Sequence, residues 1–105
     1  MASGRLGKAT LTAVTQTLLY TVPALTVATV NIRVANRNAT PIKIRVAITE
    51  GGVPSVDDYI TYDKSIEAFG ILEETGMVCS AAEQVYVYSD TTNVSARVHG
   101  FEEAA

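Results

Sequence analysis

The residues of this sequence that could do chemistry are few and scattered. His99 is the single histidine and Cys79 the single cysteine. A histidine-rich metal site is therefore excluded, and a zinc site lacks the ligands it needs. Cys79 has no neighbouring histidine to draw off its proton, as a nucleophilic thiol requires. Placed after Met77-Val78, it reads as a small buried hydrophobe. His99 shares one face of a strand with Arg97 and Phe101, which reads as a surface or interface imidazole. The carboxylates Asp57-Asp58, Glu73-Glu74 and Glu102-Glu103 come in adjacent pairs. Adjacent strand residues face opposite ways, so these pairs make poor acid/base couples. A calcium site at the Asp57-Asp58 loop stays open, although the spacing of a calcium loop motif is missing. Asn38-Ala39-Thr40 and Asn93-Val94-Ser95 match the glycosylation sequon, which means little without a secretion signal. No phosphate-cradling glycine loop and no catalytic triad pattern occurs. The reading yields no catalytic residue, no cofactor-binding residue and no metal ligand, and the chain is expected not to be an enzyme.

Those side chains are positioned by short strands. From Ala28 to Ile48 two alternations follow one another: Ala28, Val30, Ile32 and Val34 in the first, Ile42, Ile44, Val46 and Ile48 in the second. Period-two β-branched residues mark half-buried strands. The turn formers Asn36 to Thr40 separate them. A hairpin with a five-residue loop sets Val34 opposite Ile42 and Ile32 opposite Ile44, so the sequence predicts Ala28–Ala35 paired with Pro41–Thr49 in that register. The same register would set Arg33 opposite Lys43, with Arg45 diagonal.

Charge is divided along the chain. Up to Thr49 there are Arg5, Lys8, Arg33, Arg37, Lys43 and Arg45 and no acid; all eleven acids follow, against Lys64 and Arg97. Like charges directly opposite each other need an anionic offset. Acidic strands of the same domain, the acidic half of a neighbouring subunit, or nucleic acid would each supply it. A net charge of -3 and a pI near 5.0 argue against nucleic acid. The charged share of 18% lies below the roughly 25% usual for soluble domains, which points to a surface partly covered by other subunits.

The 105 residues read as one domain, residues 9–105, preceded by an N-terminal arm over residues 1–8. One or two strands, broken near Gln16, are expected between Ala9 and Val22. Tyr59–Asp63 and Ile71–Thr75 are further strand candidates, the second ended by Gly76, with Lys64 to Gly70 left as loop or helical turn. Gln84–Ser89 alternates with Val85 and Val87 on one face and Tyr86 and Tyr88 on the other. Outward tyrosines belong either at an interface or beneath the chain's own arm or loops. Val94–Phe101 reads as the last strand, with Glu102–Ala105 a solvated tail. Seven to eight short strands with regular turn signals and no convincing helix predict an all-β antiparallel β-sandwich, jelly-roll-like or Ig-like, or a small barrel. No run approaches the ~20 apolar residues of a membrane span, no signal peptide pattern opens the sequence, and a lone cysteine excludes an internal disulfide.

Several stretches carry a family likeness. Leu19-Tyr20-Thr21-Val22-Pro23-Ala24, Val30 to Arg37, Asp58 to Asp63, Gly70-Ile71-Leu72-Glu73 and Val94 to Glu102 resemble small virion proteins of tailed bacteriophages. The resemblance implies a β-sandwich structural protein without an active site. The expected role is capsid decoration, as a cement protein on the outer surface of the shell; a tail, fibre or baseplate module is the alternative. Implied partners are the major capsid protein and copies of the chain itself, with neither nucleic acid nor membrane, in a virion assembled in the bacterial host cytoplasm. A carbohydrate-binding sandwich is a more distant alternative. The sequence departs at Leu25, where the turn after Pro23-Ala24 would more usually hold glycine.

Overall fold

The structure is a computed structural model that describes residues 3 to 105. Eight strands follow one another: β1 (Ser3–Leu11), β2 (Thr15–Thr21), β3 (Thr26–Asn36), β4 (Ile42–Thr49), β5 (Tyr59–Ile66), β6 (Ile71–Cys79), β7 (Gln84–Ser89) and β8 (Val94–Ala104), with one 3-10 turn at Val56–Asp58. They form two four-stranded antiparallel sheets of order β1-β8-β3-β6 and β2-β7-β4-β5. Every connection except β4–β5 passes from one sheet to the other. This is the strand order of a jelly-roll sandwich.

Inward parity follows the alternation of the sequence. Val30, Ile32 and Val34 of β3 meet Ile42, Ile44 and Val46 of β4 and Val85 and Val87 of β7 in one core, all essentially inaccessible to solvent. The expected hairpin between β3 and β4 does not form. β3 pairs with β8 and β6, whereas β4 pairs with β7 and β5. The two strands face each other across the core instead of lying side by side. Alternation reports which side chains turn inward, and both arrangements satisfy it equally.

The crossing is organised by Asn36, the last residue of β3 and itself buried. Its Nδ2 donates to the carbonyls of Thr40 (2.9 Å), Glu67 (2.9 Å) and Ile66 (3.3 Å). Its Oδ1 accepts from the backbone N–H of Asn38 (2.9 Å) and from Asn38 Nδ2 (3.0 Å). One side chain thus ties the β3–β4 and β5–β6 loops together. Asn38 and Asn93, the two sequon asparagines, also serve structure: Asn38 Nδ2 donates to Thr92 O (2.9 Å) and Asn93 Nδ2 to Arg37 O (3.0 Å).

Other boundaries differ from the sequence reading. Residues 3–8, expected to be an arm, are the first half of β1 and pair with β8 from Ser3↔Phe101 onward, with Leu6 packed against the core. Met1 and Ala2 of that arm lie outside the described residues. The break between the first two strands falls at Thr12–Val14, not at Gln16. Gly76 does not end β6. It forms a bulge at φ +68, where Thr75 and Gly76 oppose Asn31 alone, and its N–H donates to Asn31 Oδ1 (2.9 Å). Glu102 is no free tail: β8 runs on to Ala104, and Tyr20 donates to Glu102 Oε2 at 2.5 Å across the two sheets.

The turn at Leu25 has the shape its position demands of glycine. Leu25 takes φ +57 and is 84% exposed. A left-handed backbone is costly for a residue with a Cβ, and the exposed side chain gains nothing from burial. Leu25→Gly should therefore raise stability by about 0.5–1 kcal/mol, less than the full strain because glycine also frees the unfolded chain. Urea unfolding reads the shift; an unchanged or lowered midpoint would show that the turn carries no strain.

Candidate interaction face

The outer face of the β2-β7-β4-β5 sheet gathers four of the chain's five tyrosines. Two cross-strand rows define it. Leu18, Tyr86, Ala47 and Tyr59 form one row; Gln16, Tyr88 and Arg45 form the next, ending on β5. Two bulges on β5 shape that end. Between the Ile44↔Lys64 and Val46↔Thr61 pairs, Arg45 alone faces both Tyr62 and Asp63, and Asp63 accommodates the extra residue at φ +51. Aspartate tolerates that backbone better than most residues. The second bulge adds Ile60, which restores Tyr59 to the outer face beside Ala47.

The bulge brings three contacts to Arg45. Its Nε donates to Asp63 Oδ1 (2.6 Å) and its Nη2 to Oδ2 (3.3 Å), a two-pronged pair that a planar guanidinium favours. The same group lies 4.3 Å from the ring centroid of Tyr62 and 4.7 Å from that of Tyr88, within cation–π range of both. Tyr62 meets Tyr59 edge-on at 5.1 Å between ring centroids. Gln16 Nε2 then donates to Tyr59 OH (2.6 Å), closing a polar and aromatic net from β2 to β5. Gln16 Oε1 lies buried on this face without a hydrogen-bond partner. Beneath the net Ala47 is only 1% exposed although it points outward. Leu18, Ile60 and Tyr62 remain about half exposed at its rim.

The Arg45 guanidinium holds the Asp63 carboxyl below its ordinary value of 3.8, with Lys43 adding a smaller pull in the same direction. A carboxylate whose folded pKa is depressed stabilises the fold above its unfolded pKa of ~3.9 and stops doing so as pH falls through the folded value. The Arg45–Asp63 pair should therefore persist throughout mildly acidic conditions. A carboxyl-detected NMR titration should place the Asp63 midpoint below 3.8. A midpoint at or above that value would mean that the contact is not made in solution.

The remaining residues singled out from sequence are dispersed. Cys79 is fully buried at the end of β6, and burial pushes its thiol up to about 11, so it stays protonated at neutral pH. His99 lies on the outer face of the other sheet between Arg5 and Asn31, on the side of its strand that the sequence reading gave it. Glu73 and Glu74 face opposite ways: Glu73 pairs with Arg33 at 2.8 Å, and Glu74 accepts from Thr61 Oγ1 at 3.0 Å. Asp58 caps Ser55, accepting from its N–H (2.8 Å) and Oγ (3.1 Å). Arg33 and Lys43 do not oppose each other, because they lie on the outer faces of different sheets. Acids of the same domain, Glu73 and Asp63, lie beside Arg33 and Arg45. Tyr86 and Tyr88 face outward as predicted; Tyr59, Tyr62 and the role of Arg45 were missed. The signal that could have found them is Asp63 after Tyr62, one residue too many for a regular strand opposite Arg45.

Among the described residues no helix is long and apolar enough to cross a membrane. No family model matches the chain, and no curated protein or solved structure matches it either.

Proposed function

We propose that the chain is a non-catalytic structural subunit that attaches to a larger particle through its tyrosine face, in its finest form a cement protein on the capsid shell of a tailed phage. The observation that carries this reading is the face itself. Tyrosine and arginine are the residues on which protein interfaces most often concentrate their binding energy, because they offer broad, rigid area with a polar tip. Here Tyr59, Tyr62 and Tyr88 are already held around Arg45 by contacts within the chain, so little rotamer freedom is left to lose on docking. The jelly-roll strand order adds weight by analogy only, since viral capsid proteins and lectins both use it. The resemblance of Val30–Arg37 and Val94–Glu102 to phage virion proteins supplies the particular partner.

The test is co-sedimentation of purified protein with phage particles that lack it. Wild-type protein should bind in many copies per particle. Tyr62→Ala should weaken binding by about 30-fold, as expected for a loss near 2 kcal/mol at a buried anchor. Binding at only a few copies per particle would favour a tail, fibre or baseplate module, and unaltered binding by the variant would remove the face from the mechanism.

A further inference from the structure

We infer that the chain also binds its own copies head to tail, the β4–β5 loop of one copy seated in a basic recess on the β1-β8-β3-β6 sheet of the next. This deepens the assembly reading and rests on it. On the outer face of that sheet Lys8 of β1 lies opposite Arg97 of β8, which lies opposite Arg33 of β3. Three cations therefore stand side by side across three neighbouring strands. Glu73 of β6 ends the row and pairs with Arg33 at 2.8 Å. Among the described residues no carboxylate pairs with Lys8 or Arg97. Like charges directly opposite one another destabilise a sheet unless an anion offsets them.

The neighbouring row makes the cationic row a site. There Thr10, Ser95 and Ala35 follow one another across the same strands. Their side chains are short, and beside the long cations they leave a recess of about 390 Å³. Its floor is methyl and hydroxyl groups and its wall is Lys8, Arg33 and Arg97. Such a recess takes a chain segment that carries both carboxylate and small apolar side chains.

One segment of this protein has that composition. The loop from Glu50 to Asp58 joins β4 to β5 at the opposite end of the sandwich, next to the β6–β7 turn with Glu83. Its carboxylates are Glu50, Asp57 and Asp58; Asp58 is engaged by Ser55, which leaves Glu50 and Asp57 to meet a partner's cations. Between them Val53 is 76% and Val56 is 88% exposed, with no packing partner to account for their being apolar. The recess lies toward one end of a molecule 42 Å long and the loop at the other. A loop cannot reach the recess of its own chain, but it reaches that of a second copy placed end to end. Patch and counter-patch lie on different surfaces, so the contact is heterologous and generates a ring or a chain rather than a two-fold dimer. Complementary charge of this kind fixes orientation more than it adds affinity.

Sedimentation velocity across a concentration series tests this with the full chain. Wild-type protein should associate beyond the dimer, and the association should weaken at least about tenfold between about 0.1 M and about 1 M salt, where the screening length falls from ~10 to ~3 Å. Lys8→Gln with Arg97→Gln blocks the recess but not the loop; Glu50→Gln with Asp57→Asn does the reverse. Each double variant should stay monomeric alone. An equimolar mixture of the two retains one intact recess and one intact loop, and should give a one-to-one pair that grows no further. A monomeric wild type, or variants that associate as the wild type does, would overturn the proposal. The same proteins sedimented with particles lacking the chain keep the two readings apart. Shell binding without self-association overturns the head-to-tail contact alone, and self-association without shell binding overturns the cement role alone.

Discussion

Exchanging Asn36 for alanine should destabilise the protein by roughly 3–4 kcal/mol, a large share of the 5–15 kcal/mol that holds a domain of this size. The expectation rests on what the amide leaves behind. Without Nδ2, the carbonyls of Thr40, Ile66 and Glu67 lose a donor at a site where Asn36 itself is 2% exposed. Each unsatisfied buried group costs about 1–3 kcal/mol, and the part-buried ones less because water reaches them. Asn36→Asp keeps the acceptor for the Asn38 N–H but sets a carboxylate against carbonyl oxygens, and should be no better tolerated. Urea unfolding of both variants measures the effect. A loss below about 1 kcal/mol for alanine would show that the two loops hold their course without the amide.

Gly100→Ala should be comparably damaging for a steric reason. A Cβ at this position would stand 1.9 Å from Thr29 O and 3.1 Å from Val30 Cα, and the glycine's φ of +155 suits few side-chain-bearing residues. Both obstacles are backbone, so no rotamer change relieves them. β8 must separate from β3 at the Val30↔Gly100 pair, at a cost of about 3 kcal/mol. The strain should concentrate near the end of β8, where amide exchange around Phe101 and Glu102 should quicken first. Gly76→Asn is the contrasting variant. Its φ of +68 is one asparagine accepts, and nothing lies within 4 Å of the added Cβ, so the loss should stay under about 1 kcal/mol. Equal effects from both variants would show that contact distance at Gly100 is not what matters.

Asn36 also marks the limit of what the sequence discloses. Alternation placed the inward faces of β3, β4 and β7 correctly, because burial depends on residue type and period alone. Pairing depends on where the chain goes after a strand ends, and Asn36 decided that through contacts with Ile66 and Glu67, thirty residues away in sequence. A turn-forming asparagine at the end of a strand reads the same in a hairpin and in a crossing. The tyrosine face was half legible for a related reason. Tyr86 and Tyr88 stand in a regular strand, whereas Tyr59 and Tyr62 reach the same surface only through two bulges on β5. Leu25 stood out only against the resembled family, where that turn would hold glycine, and the left-handed backbone there is disclosed by the structure.

The strand order also governs the order in which the two sheets can close. β7 and β8, which follow the other six strands in sequence, occupy inner positions, β7 between β2 and β4 and β8 between β1 and β3. Residues up to Cys79 can form the β3–β6 and β4–β5 pairs, but β1 and β2 then have no neighbour in their sheets. Neither sheet closes until β7 and β8 are in place, so folding is dominated by distant pairings and should be slow. A chain cut short before Val94 lacks β8, which leaves β1 unpaired and one side of β3 bare. Such bare strand edges template non-native pairing, so a truncated copy is directed toward aggregation rather than toward the closed sandwich.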